Sequence, residues 1–137
     1  MAEDDADDRM LIEKAFQDVA SHGHLMCVEN GVELIKYLRR DSPYDNFDKY
    51  PAPQIVLLDL NMPRKDGRQT LKEIKEDKEL CKIPVIVFTT SRQPEDIENM
   101  YRLGTNSYIA KPSSFEELMA VAREIESYWF KTVQLPA

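Results

Sequence analysis

Three short apolar runs, each closed by a polar residue and separated by segments of helical period, decide what this chain can fold into. They are Gln54-Ile55-Val56-Leu57-Leu58-Asp59, Pro84-Val85-Ile86-Val87-Phe88-Thr89, and Ser107-Tyr108-Ile109-Ala110 closed by Lys111-Pro112. The first two, nearly continuous, suit strands covered on both faces, as in parallel sheets, and the third reads as a short strand. A shorter run, residues 24–28, reads as a further strand. Between the runs, Leu11, Ile12, Ala15, Phe16 and Val19 recur at helical spacing with Gly23 as a stop, and Val32, Leu34, Ile35 and Leu38 mark a second helix over residues 31–40. A third helix follows Gly67, with Leu71 and Ile74 inward. Pro94, Glu95, Asp96 and Gly104 frame a fourth. The last opens at Ser114-Phe115-Glu116-Glu117, a capping-box spacing, and runs through Leu118, Ala122, Ile125 and Trp129. Residues 41–53, with Pro43, Pro51 and Pro53, form a long loop. Strands alternating with helices imply an α/β fold, a doubly wound, five-stranded parallel sheet with helices on both faces. Only Met1 and Ala2 precede the acidic start Glu3-Asp4-Asp5, so the first strand is expected to be truncated or omitted.

The length, 137 residues, suits one domain spanning 1–137. A formal charge of −7 argues against nucleic-acid binding, which needs a concentrated basic face, and against docking on an anionic membrane. No apolar run approaches the roughly 20 residues that span a bilayer, and the acidic start is unlike a signal peptide. Cys27 and Cys81 are far from any CxxC spacing, and their apolar neighbours make buried thiols the expectation. His22 and His24 share a turn with no carboxylate or Cys cluster beside them, so a solvated turn outweighs a metal site there. The expected setting is reduced and cytoplasmic.

The ends of the runs carry the chemistry. Asp59, Thr89 and Lys111 each stand at the carboxyl end of an inferred strand, and Glu3-Asp4-Asp5 lies where a first strand would end. In open α/β sheets, ligands bind outside those ends. Each residue alone has an ordinary explanation: a helix cap for Asp4 or Asp5, a turn for Asp59, a β-former in Thr89, a surface lysine at Lys111. Four at equivalent places are harder to dismiss. Clustered carboxylates ionise together only with a cation among them. Oxygen ligands without His or Cys favour a hard ion, and Mg²⁺ is the abundant choice. An ammonium and a hydroxyl opposite it would complete a clamp on a phosphoryl group, and a carboxylate can itself be the nucleophile.

Through these motifs the sequence resembles the response-regulator receiver domains, the CheY-like phosphoacceptors of two-component signalling. The carriers are Glu3-Asp4-Asp5, the stretch from Leu58-Asp59 through Met62-Pro63 to Asp66-Gly67, Phe88-Thr89-Thr90-Ser91, and Tyr108-Ile109-Ala110-Lys111-Pro112. The resemblance implies a flavodoxin-like sheet and an Asp59 that accepts phosphate from a sensor histidine kinase. It implies Mg²⁺ held by Glu3, Asp4, Asp59 and the backbone carbonyl of Asn61. Thr89 then turns toward the phosphoryl group, Lys111 pairs with it, Tyr108 matches an aromatic rotamer switch, and Lys111-Pro112 matches a cis peptide. The insert at residues 41–53 and the closing residues 125–136 look like stand-alone receivers that partner bacterial phytochromes. No output segment follows the last helix in the sequence, so the signal is expected to leave through the receiver's own surface. A homodimer through the fourth helix, fifth strand and fifth helix is one such route, with Tyr101 and the aromatic tail Tyr128-Trp129-Phe130 lending it apolar area.

Three rival readings fit less well. A flavin protein on the same sheet needs a hydroxyl- and glycine-rich loop where Glu3 to Asp8 would repel a phosphate. An aspartate-nucleophile phosphatase wants a second Asp two residues after the nucleophile, where this chain has Asn61. The protein is therefore expected to catalyse only its own phosphorylation and slow dephosphorylation, not to act as an enzyme on other substrates. A pseudo-receiver that only binds partners is disfavoured by the complete set of Asp59, Thr89 and Lys111.

Overall fold

The computed structural model of the protein describes residues 1–19 and 24–136. Helix α1, Ala6–Val19, starts where Asp5 Oδ1 accepts the Asp8 N–H at 3.0 Å, with Asp7 and Asp8 against the positive end of the helix. Asn30 caps α2, Gly31–Arg39, by accepting the Glu33 N–H at 3.0 Å. Strand β1, Val56–Leu58, leads into α3, Gly67–Glu76, and a short 3₁₀ turn at Leu80–Lys82. Strand β2, Val85–Thr89, is followed by α4, Pro94–Arg102, and β3, Ser107–Ala110, by α5, Phe115–Ser127. Ser114 Oγ accepts the Glu117 N–H at 3.1 Å, the hydroxyl half of the expected capping box. The last helix then widens into a π-helical turn, Tyr128–Thr132.

Among the described residues the sheet has three strands, parallel and in the order β1-β2-β3, with Leu58 opposite Val87 and Thr89 opposite Ala110. The expectation that the first strand is missing needs correcting. Ala2 forms parallel bridges to Val28 on one side and Leu58 on the other. Its N–H donates to Leu57 C=O at 3.0 Å and its C=O accepts from Asp59 N–H at 3.2 Å, while Glu3 N–H reaches Val28 C=O at 3.0 Å. Two further strand positions are therefore filled, each at a single bridged residue. The expected strand at residues 24–28 shrinks to Val28 because only Met1 to Glu3 offer it partners. Upstream of the bridge lies an apolar cavity of about 340 Å³ between Met26 and Val56. It sits at the amino ends of the strands, away from the residues that carry the chemistry.

Period-two alternation splits the core into two layers. Val56, Leu58, Val85 and Val87 face Leu34, Leu38, Leu71, Ile74 and Met100 of α2, α3 and α4. Leu57, Ile86 and Phe88 face Ile12, Ala15, Phe16, Leu118, Ala122 and Ile125 of α1 and α5. Helices on both faces of a parallel sheet are the doubly wound arrangement the sequence implied. Trp129 is partly buried against the second layer, whereas Tyr101 and Tyr128 are exposed.

Three sequence expectations are corrected at this level. Leu11, on the apolar stripe of the expected helix, is 48% exposed, because α1 buries Ile12, Ala15 and Phe16 and packs Val19 against the core in part. Cys81 is exposed on the 3₁₀ turn, and only Cys27 is half-buried, its thiol pushed by burial up to about 11. The Lys111–Pro112 bond is trans; the cis peptide among the described residues is Ser42–Pro43, inside the proline-bearing loop. The expectations for His22 and Gly23 fall outside the described residues.

The two-layer core predicts unequal costs along one sequence. Phe88→Ala, which empties a fully buried site, should lose about 3–5 kcal/mol, whereas Leu11→Ala should stay within about 0.5 kcal/mol of the parent. Urea unfolding checks both.

Candidate functional site

Four strand ends deliver the site. Glu3 directly follows the bridged Ala2, Asp59 follows β1, Thr89 ends β2, and Lys111 follows β3. Parallel pairing brings these carboxyl ends to one edge, and the Lys111 N–H donates to Thr89 C=O at 2.7 Å to extend the ladder. Glu3, Asp59 and Thr89 are buried, as is the side chain of Lys111.

The Lys111 ammonium is the hub. It is paired with Glu3 Oε1 and reaches Asp59 Oδ2 at 3.3 Å and Asp8 Oδ2 at 3.4 Å. Burial works against the charged ammonium, yet its ion pairs with Glu3, Asp59 and Asp8 outweigh that and raise its pKa. The same burial pushes the Glu3 carboxyl up to about 7, reinforced by Asp59 and opposed by Lys111. Glu3 Oε2 also accepts the Asp5 N–H at 3.2 Å, and Arg9 Nη1 ties down the carbonyls of Glu3 and Asp4 at 2.8 and 3.0 Å.

Glu3, Asp4 and Asp59 each offer a carboxylate oxygen, all within 4.8 Å of one another. This all-oxygen donor set, two groups buried and Asp4 exposed, fits a hard divalent cation open to solvent on one side. Asn61 is exposed two residues beyond Asp59, and the hydrogen bonds of the cluster do not include it. The Thr89 hydroxyl is the other signal. Its Oγ1 is buried without a hydrogen-bond partner among the described residues. Orphaned buried hydroxyls are uncommon, and this one is free to donate to a group that enters the site.

The loop after Asp59 is held by backbone proximity. Leu60 N–H donates to Asp59 Oδ1 at 2.8 Å, and Gly67 N–H closes the loop on Leu60 C=O at 2.8 Å. A Cβ on Gly67 would collide with the Asp59 carbonyl oxygen and lie 2.8 Å from Leu60 Cα, so only glycine fits. Asp66 and Gln69 then form a reciprocal capping box that starts α3. Arg64, at φ 66°, sits in the left-handed region within this loop, a strain typical of functional segments. On the far side, Tyr108 OH donates to Ser91 C=O at 2.8 Å, its ring packed against the first core layer.

Sequence reasoning missed Asp8. The signal was present, since Asp8 lies four residues beyond Asp4 in an acidic run, but only the first turn of α1 brings it to Lys111. It also missed Gly31, where a Cβ would collide with Thr70 Oγ1 and come 2.6 Å from Lys65 C=O, which lets α2 close on the end of the Asp59 loop.

With that geometry in view, the response regulator receiver domain family matches residues 1–123. The chain belongs to that family. Response regulator Rcp1 of Synechocystis sp. is 36% identical over 137 residues, covering 100% of this chain and 91% of the relative. The crystal structure of the phosphorylated cyanobacterial phytochrome response regulator RcpA superposes with a TM-score of 0.90 at 38% identity, over 99% of this chain and 95% of that one. The Mn²⁺-bound form of Rcp1 gives 0.86 at 35% identity, over 99% and 96%. The receiver domain thus takes part in two-component signalling, is similar to phytochrome response regulators, and has an acidic cluster suited to a divalent metal. No helix among the described residues is long and apolar enough to cross a membrane.

Two measurements follow from the site. Gly67→Ala should cost about 1–3 kcal/mol by forcing the Asp59 backbone away from α3, read by urea unfolding. Glu3 releases its proton near its ordinary 4.5 when unfolded but only near 7 when folded. Between those values the folded state binds more protons, so its share of stability falls as pH rises. In divalent-free buffer, Glu3→Gln should therefore gain stability relative to the parent as pH rises from 4.5 to 7. A constant difference across that window would contradict the raised Glu3.

Proposed function

We propose that this receiver is a phosphoacceptor whose Asp59 takes the phosphoryl group from a phosphohistidine of a cytoplasmic sensor histidine kinase of the phytochrome type. An Asp59 carboxylate oxygen attacks phosphorus, the phosphorus–nitrogen bond breaks, and the imidazole leaves with the electron pair. Lys111 places an ammonium beside the attacked group, and Thr89 supplies a buried hydroxyl with no other partner. Glu3, Asp4, Asp59 and the Asn61 carbonyl would hold Mg²⁺. When bound, Mg²⁺ neutralises charge on the transferring phosphoryl oxygens. The observation that carries the reading is the contact between Lys111 and Asp59, beside a buried Thr89 hydroxyl that lacks an acceptor.

Asn61 replaces the acid–base residue a phosphatase would use, so the aspartyl phosphate persists and is lost slowly. The added charge re-pairs Lys111 and Thr89 and shifts the face of α4, β3 and α5. Exposed Tyr101 and Tyr128 suit that face to a second copy of the chain or another protein partner. The relatedness to RcpA supports the phytochrome link, and the −7 charge supports output through protein contacts rather than nucleic acid.

Acetyl phosphate with Mg²⁺ should add one phosphoryl group to the intact mass of the wild type and none to Asp59→Asn. A chelator should abolish the gain. A folded, Mg²⁺-binding wild type that stays at its starting mass would overturn the proposal. Sedimentation with the phosphoryl mimic beryllofluoride should show a dimer, and a monomer under both conditions would remove that output route.

A further inference from the structure

A second network, separate from the carboxylate cluster, ties three elements to the segment just past Thr89. Asp96, in the first turn of α4, uses both carboxylate oxygens. Oδ1 accepts from Arg68 Nη2 at 2.6 Å and Oδ2 accepts from Ser91 Oγ at 2.5 Å. Ser91 Oγ in turn accepts the Gln93 N–H at 3.3 Å, and Ser91 C=O accepts from Tyr108 OH at 2.8 Å. Arg68 is the second residue of α3, directly after the Gly67 that is wedged on the Asp59 backbone. One chain of contacts therefore runs from the Asp59 loop through Arg68 and Asp96 to Ser91, two residues from the unpartnered Thr89 hydroxyl.

We propose that Arg68 and Asp96 are positioning residues for phosphoryl uptake: they fix Ser91, and through it the backbone that aims Thr89, relative to Asp59. The inference rests on the phosphoacceptor reading and adds to it two residues outside the acidic cluster. Neither touches the reacting atoms. Asp96 is 22% and Arg68 32% exposed in their side chains, and a partly exposed pair adds little to global stability. What it does supply is geometry. The guanidinium is planar and pre-organised, and the Ser91 and Arg68 hydrogen bonds lower the Asp96 pKa. The link thus stays charged and directional. The Thr89 hydroxyl has no hydrogen-bond partner among the described residues, so its direction depends on the backbone of the 89–91 segment. Loosening Ser91 costs alignment at the site, where a displacement near 1 Å is enough to slow a positioned reaction.

A purely structural role is available to Asp96, since an acidic side chain in a helix's first turn favours the helix dipole. Arg68 separates the two cases because its removal leaves the Asp96 carboxylate in place at the start of α4. The test is the rate at which acetyl phosphate and Mg²⁺ raise the intact mass of Arg68→Ala, Asp96→Ala, the double variant and Arg68→Lys, with urea unfolding of each alongside. Each alanine variant is expected to be labelled roughly tenfold more slowly than wild type, with the double variant no slower than either single. Arg68→Lys, which keeps the charge but not the planar fork, should recover only part of the rate, and the urea midpoints should stay near the wild type's. Additive losses overturn the proposal, as does slowing by Asp96→Ala alone, which would assign Asp96 to the helix start. Wild-type rates in all variants also overturn it while leaving the phosphoacceptor reading intact. An unlabelled wild type overturns that reading and this one with it.

Discussion

The buried Lys111 ammonium, shared among Glu3, Asp59 and Asp8, is the interaction on which the rest of the site depends. A charged group this deep is costly unless paired, and removing one partner of such a pair is far worse than never having had it. One ammonium set against three carboxylates leaves the cluster short of positive charge, with Asp4 at its solvent edge adding a fourth. Burial raises Glu3 toward the neutral form, with Asp59 adding to it and Lys111 opposing it. The imbalance makes the cluster receptive to a divalent cation. Under the proposed function, a divalent cation bound there would offset the excess carboxylate charge and leave Lys111 and the Thr89 hydroxyl to meet a phosphoryl group.

The fold's task is to bring these groups together from positions more than a hundred residues apart. It does so with very little sheet at the first position: Ala2, bridged on both sides, is enough to place Glu3 beside Lys111. Gly67 and Gly31 do the equivalent for the loop, letting α3 close on the Asp59 backbone and α2 on Lys65 and Thr70, where any side chain would intrude. The two core layers then hold the strand ends at fixed heights, because Leu57, Ile86 and Phe88 point one way and their neighbours the other. A site assembled from strand ends is only as rigid as the sheet beneath it.

Much of this was legible in the sequence, and the physical reasons are specific. The apolar runs ending in Asp59 and Thr89 read correctly as parallel strands because strands covered on both faces need no polar alternation, and the half-buried run before Lys111 pairs parallel beside them. The third helix read correctly from Leu71 and Ile74 at helical spacing, and its start lies at Gly67 itself because Asp66 caps it. Misreadings arose where tertiary geometry overrides local pattern. Two residues before Glu3 look too few for a strand, but a single residue can bridge both neighbours when each supplies a hydrogen-bond partner. Leu11 sits on the helical stripe yet faces solvent, since α1 meets the sheet over a narrower face than the spacing suggests. Cys81 has an apolar neighbour in Leu80, but a 3₁₀ turn buries one and exposes the other. Asp8, Arg68 and Asp96 were invisible as site residues because charged groups in a helix's first turns are common and only the packing shows whom they meet.

The most direct test of the cluster's role is an anomalous difference map from crystals grown with Mn²⁺. The account predicts a strong peak bounded by the carboxylates of Glu3, Asp4 and Asp59, with the Lys111 ammonium drawn away from Glu3. A map with no peak there, and Lys111 still closed on Glu3 at saturating Mn²⁺, would contradict it.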